Sequence, residues 1–273
     1  MKMYFSRSLF LLVLVVTLFS SCKKRRDGVD LIVARDQGTA EACFNDLKNI
    51  ADEAFSGQLF LYRGAQDTLV HGCATVIRDT SANPKTIVVD FGSANCQCND
   101  GKNRRGKINI TYTGLYRDPG TIITLTPDQY FVNDHQLIGT KTVTNEGRNT
   151  NNNLWYSIVV NGQVVKPNNG GTITINSTRQ REWTEGESTV LNWLDDVYLI
   201  TGYGNGVASN GEAYTVAIVI PLRKEMSCYH FVSGSIRVLP GSRPERLIDF
   251  GAGTCDNSAT ITVNGTTYPV SLY

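Results

Sequence analysis

From residue 58 onward the chain places apolar side chains at every second position, in one short run after another. That period belongs to strands with one buried and one wet face. Ile108, Ile110 and Tyr112 share a face in "KINITYT" (107–113), as do Ile123 and Leu125 in "TIITL" (121–125). Ile173 with Ile175 in "GTITINS" (171–177), and Ile261 with Val263 in "ATITV" (259–263), repeat the pattern. "AYTVAIVIP" (213–221) differs: Ala217 and Val219 add a second apolar face to that of Tyr214, Val216, Ile218 and Ile220. It reads as a central strand covered on both sides. No helix of useful length separates these runs, so parallel β-α-β crossovers are not expected.

Turn chemistry punctuates the runs at "RDPG" (117–120), "TNEGRNTNNN" (144–153), "VNGQ" (160–163), "PNNGG" (167–171), "GYGNGVASNG" (202–211) and "VNGT" (263–266). Asn161-Gly162 and Asn264-Gly265 suit tight hairpins, and "GYGNGVASNG" reads as a long hairpin loop. About a dozen strands in succession give an antiparallel meander. So many strands in one sheet must curl, close or split. The expected fold is mainly β: a curved sheet, half-barrel or barrel, with one N-terminal α-helix packed on it.

That helix is expected over 39–57, "TAEACFNDLKNIADEAFSG", where Ala40, Cys43, Phe44, Leu47, Ala51, Ala54 and Phe55 fall at helical spacing. Thr39 is suited to cap it and Gly57 to stop it. Residues 22–38 read as a tether, and 39–273 as a single β-rich domain.

Two stretches of that domain are alike. "DFGSANC" occupies 90–96 and "DFGAGTC" 249–255. Each has an apolar run before it, a Cys further upstream and an alternating strand after it, which marks a degenerate internal repeat over 73–116 and 228–272. The roles expected at Asp90, Phe91, Gly92 and at Asp249, Phe250, Gly251 are structural. The Asp accepts turn amides, the Phe packs inward, and the Gly turns the chain at positive φ.

The first residues are an address rather than part of the fold. Lys2 and Arg7 precede the apolar run Leu9–Phe19, too short to span a bilayer, and Ser20, Ser21 and Cys22 follow. "LFSSC" resembles a bacterial lipobox, which makes 1–21 a lipoprotein signal peptide and Cys22 the lipidated first residue. The expected location is the cell envelope, on the outer membrane. The "KKRR" run beside Cys22 suits an anionic leaflet, or is a solvated charge run in a tether. Surface export of Bacteroidota-type lipoproteins goes with acidic residues after the Cys, so what a resemblance to them implies for this basic tether is the periplasm-facing side. Without 1–21 the chain keeps 24 basic against 25 acidic residues, which gives no electrostatic footprint for nucleic acid.

Setting Cys22 aside leaves Cys43, Cys73, Cys96, Cys98, Cys228 and Cys255, an even number that reads as disulfides in an exported chain. The twin motifs pair Cys228 with Cys255. Cys73 is assigned to Cys96 or Cys98, and Cys43 to whichever remains. Cys96-x-Cys98 as a zinc half-site lacks a second pair of ligands, because His71, His135 and His230 are scattered. No metal or cofactor is assigned.

"DFGSANCQCNDGKNRRGKINITYTGLYRDPGT", "DVYLITG" and "IDFGAGTCDNSATITVNGTTYPVSL" resemble a group of exported Bacteroidota lipoproteins of unassigned activity, over most of the mature chain. The resemblance implies an envelope lipoprotein and transfers no functional residue.

Chemical motifs are sparse. "GYGNGVASNG" has no following helix and no Lys-Ser/Thr, so it is no P-loop. Asp-Phe-Gly stands without the other kinase motifs, and no Gly-x-Ser-x-Gly occurs. Asp195 and Asp196 are adjacent carboxylates, which a strand sends to opposite faces. Asp100, Asp118, Asp128 and Asp256 sit in turns without a calcium-loop pattern. Asp67-Thr68-Leu69 resembles a Bacteroidota O-glycosylation triplet. Trp155, Trp183, Trp193, Tyr198 and Tyr203 are core residues, or sugar-stacking ones if exposed. The expected function is a lipid-anchored, non-catalytic binding or structural module, touching the membrane through its anchor and offering a surface to a glycan or apolar ligand. The alternatives are an envelope carrier holding a lipid or other apolar ligand in a half-barrel, and a glycan hydrolase using Asp195 or Asp196.

Overall fold

The computed structural model of the 273-residue chain describes residues 31–59, 66–68, 73–189, 192–241 and 243–271. The expected signal peptide, Cys22, His71 and Leu69 lie outside them. One helix, α1 (Ile32–Leu59), leads into β1 (Gln66–Thr68), β2 (Thr75–Asp79), β3 (Lys85–Asp90), β4 (Cys96–Gln97), β5 (Asn103–Tyr112), β6 (Ile122–Val132), β7 (His135–Arg148) and β8 (Leu154–Val165). Then follow β9 (Thr172–Glu185), a 3-10 turn (Trp193–Asp195), β10 (Val197–Val207), β11 (Ala213–Glu225), β12 (Phe231–Pro240), β13 (Arg246–Ala252), β14 (Ser258–Val263) and β15 (Thr266–Ser271). All are antiparallel to their neighbours in the order β1-β2-β3-β5-β6-β7-β8-β9-β10-β11-β12-β13-β14-β15, with β4 paired to β5 off this path. The sheet is a curved, unclosed meander. Ile108, Ile110, Tyr112, Ile123, Leu125, Ile173, Ile175, Ile261 and Val263 are buried, on the faces that the period of two assigns them.

The helix fills the hollow of the sheet. Phe44, Leu47, Ile50, Ala51 and Ala54 join one core with Val76, Ile87, Val89, Leu125, Leu137, Val160 and Ile175. Burying each large side chain contributes about 1.5–3 kcal/mol. α1 begins seven residues before Thr39, at Ile32, and passes through Gly57 to Leu59. Residues 32–38 are therefore helix and not tether. Gly38 and Thr39 are poor helix formers, but Val33, Ala34 and Gln37 are buried, and that packing outweighs a propensity deficit of about 1 kcal/mol per residue.

Three turn readings are corrected in the same way. Asn161-Gly162 is no hairpin: β8 runs straight through it, with Gly162 opposite Gly139 of β7. A Cβ on Gly162 would stand 2.5 Å from Phe44 Cζ, so this glycine admits the helix's aromatic ring. "GYGNGVASNG" is mostly strand, since β10 extends to Val207. Cβ atoms on Gly202 and Gly206 would stand 2.3 and 2.2 Å from the Thr178 and Thr174 carbonyl oxygens of β9. "TNEGRNTNNN" is likewise shortened, with β7 continuing to Arg148. Asn264-Gly265 does form the β14–β15 hairpin, with φ of 49° and 77°.

β11 is not covered on both sides. Its register against β10 and β12 slips between Ala217 and Leu222, leaving Val219 and Ile220 45% and 56% exposed.

Candidate functional site

The two Asp-Phe-Gly corners share one geometry. Asp90 Oδ1 accepts the Gly92 amide at 2.8 Å, and Asp249 Oδ1 accepts the Gly251 amide at 2.7 Å. Gly92 and Gly251 have φ of 79° and 89°, and Phe91 and Phe250 are buried. Cys73–Cys96 and Cys228–Cys255 close the corners over separations of 23 and 27 residues. In each unit the first Cys precedes two paired strands, β2–β3 or β12–β13. The corner follows, and then a third strand, β5 or β14, pairs with the second. Both units lie one strand in from an edge of the sheet. Each corner thus staples a strand near an edge of the sheet. Cys43 forms no bridge to Cys98, and both are buried thiols; α1 holds Cys43 among core side chains.

Asp195 and Asp196 part company. Asp195 is exposed and accepts the Thr189 hydroxyl at 2.8 and 2.9 Å. Asp196 is buried, 3.4 Å from Tyr198 Oη, and its burial pushes the carboxyl up to about 6. The turn aspartates are also used locally. Asp118 accepts the Leu115 amide, Asp256 the Ser258 amide and Asp100 the Arg104 guanidinium, while Asp128 lies in β6 opposite Lys107.

Asp196 borders a polar seam between α1 and the sheet. The Arg181 guanidinium lies 3.5 Å from the Tyr198 ring centre, Arg117 4.4 Å from that of Trp183, and Lys48 4.9 Å from that of Tyr116. Tyr116 and Tyr156 stack at 4.4 Å. Lys48 pairs with Asp52, and Arg179 with Glu41. Lys141 Nζ donates to the Phe44 carbonyl at 2.8 Å. Trp183 and Tyr198 are thus core residues, and the seam is closed over by the helix. Perturbed groups often mark function, yet this cluster has the anatomy of a helix clamp.

The seam sets a pH dependence. Burial pushes Lys141 and Lys224 down to about 7 and Lys48 down to about 8. Between these values and the ordinary lysine value of about 10.4 the unfolded chain binds more protons than the folded one, so stability rises with pH. Above about 10 the sign reverses, because burial raises Tyr116, Tyr156 and Tyr198 and the unfolded tyrosines ionise first. Calorimetric scans should find Tm climbing by on the order of 5 °C between about pH 7 and pH 9, and falling only above about pH 10. A Tm that declines steadily from pH 7 upward contradicts this account.

An open site lies on the other face. Trp155 of β8, Gln180 and Glu182 of β9, Leu199 and Thr201 of β10, Pro221 of β11, and Asn149 and Thr150 of the β7–β8 turn line a groove of about 370 Å³. Odd-numbered residues of β8 and even-numbered residues of β9 point away from the core at this end; the alternation that buries Tyr156 and Arg181 therefore presents Trp155 and Glu182 side by side. Glu182 Oε1 accepts Nδ2 of Asn149 and Asn153 at 2.8 Å each and of Asn151 at 3.3 Å. These amides hold the carboxyl below its ordinary range. The arrangement combines a half-exposed indole, an apolar floor and a fixed ring of amide and carboxylate groups, which can stack on and hydrogen-bond a polyhydroxylated ring. Sequence reasoning singled out Trp155 but missed Glu182 and took the asparagines for turn residues alone. The signal available was their density immediately before Trp155.

No protein-family model matches this chain, and no curated protein or solved structure matches it.

Proposed function

We propose that this protein is a non-catalytic binding module of the cell envelope, anchored through lipidated Cys22 on the periplasm-facing side of the outer membrane, and that it engages a glycan in the Trp155 groove. The observation that carries the reading is the pairing of the outward-facing Trp155 with a Glu182 carboxylate already held by asparagine amides. A carboxylate so occupied is suited to positioning hydroxyls rather than to transferring protons. Asp195 and Asp196 face solvent and protein interior respectively, which does not favour the hydrolase. An apolar-ligand carrier would need open volume beneath α1, where Phe44, Leu47 and Ile50 pack on the sheet. No helix among the described residues is long and apolar enough to cross a membrane.

The test is calorimetric titration of the protein with neutral and acidic oligosaccharides, including soluble peptidoglycan fragments. Trp155→Ala should weaken binding by about 2 kcal/mol, roughly thirtyfold, while Asp195→Ala binds as the wild type does. Binding that Trp155→Ala leaves unaltered, or none to any glycan, refutes the groove. Palmitate incorporation in cells that Cys22→Ser fails to abolish refutes the anchor.

A further inference from the structure

Three sulfur atoms meet at the first corner and two at the second. The Sγ atoms of Cys73, Cys96 and Cys98 lie within 4.8 Å of one another. Cys73 and Cys96 are joined, and the Cys98 thiol touches Cys73 Sγ at 3.5 Å. The sequence places them so: in an extended segment, positions i and i+2 share a face, so Cys96 and Cys98 present their sulfurs to the same partner. The second corner has Asn257 two residues beyond its Cys255 and lacks this arrangement. Cys98 is 3% exposed, whereas Cys96 is half-buried on β4, a two-residue strand with neighbours at Arg104 and Asn103 of β5. So short a strand has little to hold Cys96 once its sulfur is released.

We propose that Cys73 is shared between two disulfide isomers, and that exchange with Cys98 releases Cys96 as a thiol that captures an external disulfide. In the first step Cys98 gives up its proton to solvent and its thiolate attacks Cys73 Sγ. The Cys73–Cys98 bond forms, the Cys73–Cys96 bond breaks, and the electron pair leaves on Cys96 as thiolate. There is no net oxidation or reduction. In the second step the Cys96 thiolate attacks an accessible disulfide R–S–S–R, forming Cys96–S–S–R and releasing R–S⁻. Burial pushes the Cys98 thiol up, against the pull of the neighbouring Arg104 guanidinium. Because the thiolate is the nucleophile, the rate rises with pH.

The probe is a small aromatic disulfide that releases a coloured thiolate, applied to the folded full chain, followed by acid quench and non-reducing peptide mapping. The expected product carries the adduct on Cys96 together with a Cys73–Cys98 linkage, while Cys228–Cys255 stays intact. Mapping separates this adduct from any on Cys22 or Cys43. Cys98→Ser should cut the Cys96 adduct at least tenfold, and Cys96→Ser should show Cys73 joined to Cys98. An unreactive wild type overturns the proposal, as does an adduct on Cys98 with Cys73–Cys96 retained. Equal labelling of Cys96 in Cys98→Ser, or two thiols at Cys73 and Cys98 in oxidised Cys96→Ser, also overturns it.

Discussion

Asp46→Ala should cost about 3–5 kcal/mol of folding stability, the usual loss when one partner of a buried ion pair is removed. The Asp46 carboxylate, 1% exposed on α1, accepts Arg104 Nε at 3.2 Å, Arg104 Nη2 at 2.6 Å, Lys102 Nζ at 2.8 Å and the Tyr130 hydroxyl at 2.8 Å. It joins the helix to β5 and β6 through a pair cut off from water, for the Arg104 side chain is also 1% exposed, with Lys102 closing the cluster at 15% exposure. Asp100 still bonds Arg104 at 2.8 and 2.6 Å, so the variant keeps a partner for the cation but leaves Arg104 Nε and the Tyr130 hydroxyl unsatisfied. Urea unfolding monitored by circular dichroism reads the loss, and Tm should drop by about 10 °C. A loss below about 1 kcal/mol would place the pair among salt bridges that merely offset their own desolvation.

The same carboxylate supplies acid sensitivity. Burial by itself would raise its proton affinity, but Lys102 and Arg104 overcome that and hold it well below the carboxylate range. Its contribution is present above the unfolded value of about 3.9 and fades as pH falls below it. Asp46→Ala should therefore flatten the acid limb of the stability curve as well as lower the whole curve.

Phe44→Ala should cost about 3–5 kcal/mol through lost burial and the cavity left behind. Phe44 is 2% exposed and its ring stands over Gly162, in the dent made where Gly139 and Gly162 face each other across β7 and β8. Neither strand carries a side chain there that could relax into the gap. Gly162→Ala should itself destabilise, by about 1–3 kcal/mol, since the added methyl meets the ring at 2.5 Å and the Ile138 carbonyl oxygen at 2.6 Å. The double variant should lose less than the sum of the two single losses, because part of the methyl's volume falls where the ring was. Strict additivity in denaturant titrations would mean the two groups do not share that space.

Such contacts explain what could and could not be read in advance. The periodic runs at 107–113 and 171–177 declared their buried faces because alternation is a property of the strand itself. The corner at 249–255 declared its disulfide because a repeated local motif brought a repeated partner. The Trp155 groove was half legible: the indole was visible as a candidate, but Glu182 reaches the asparagines from a neighbouring strand, and nothing in sequence order joins residues 149–153 to 182.

The amino-acid order by itself determined that this is an antiparallel meander, which side of most strands is apolar, that Cys228 meets Cys255, and that one amphipathic helix precedes the sheet. Only the tertiary structure decided that α1 starts at Ile32, that Asn161-Gly162 continues a strand, that Cys73 takes Cys96, and that Asp46 meets Arg104 across 58 residues. The reason is one of magnitude. Local preferences differ by about 1 kcal/mol or less per residue, whereas one buried large side chain contributes about 1.5–3 kcal/mol. Where the folded sheet offers burial, it overrules a turn signal or a helix cap.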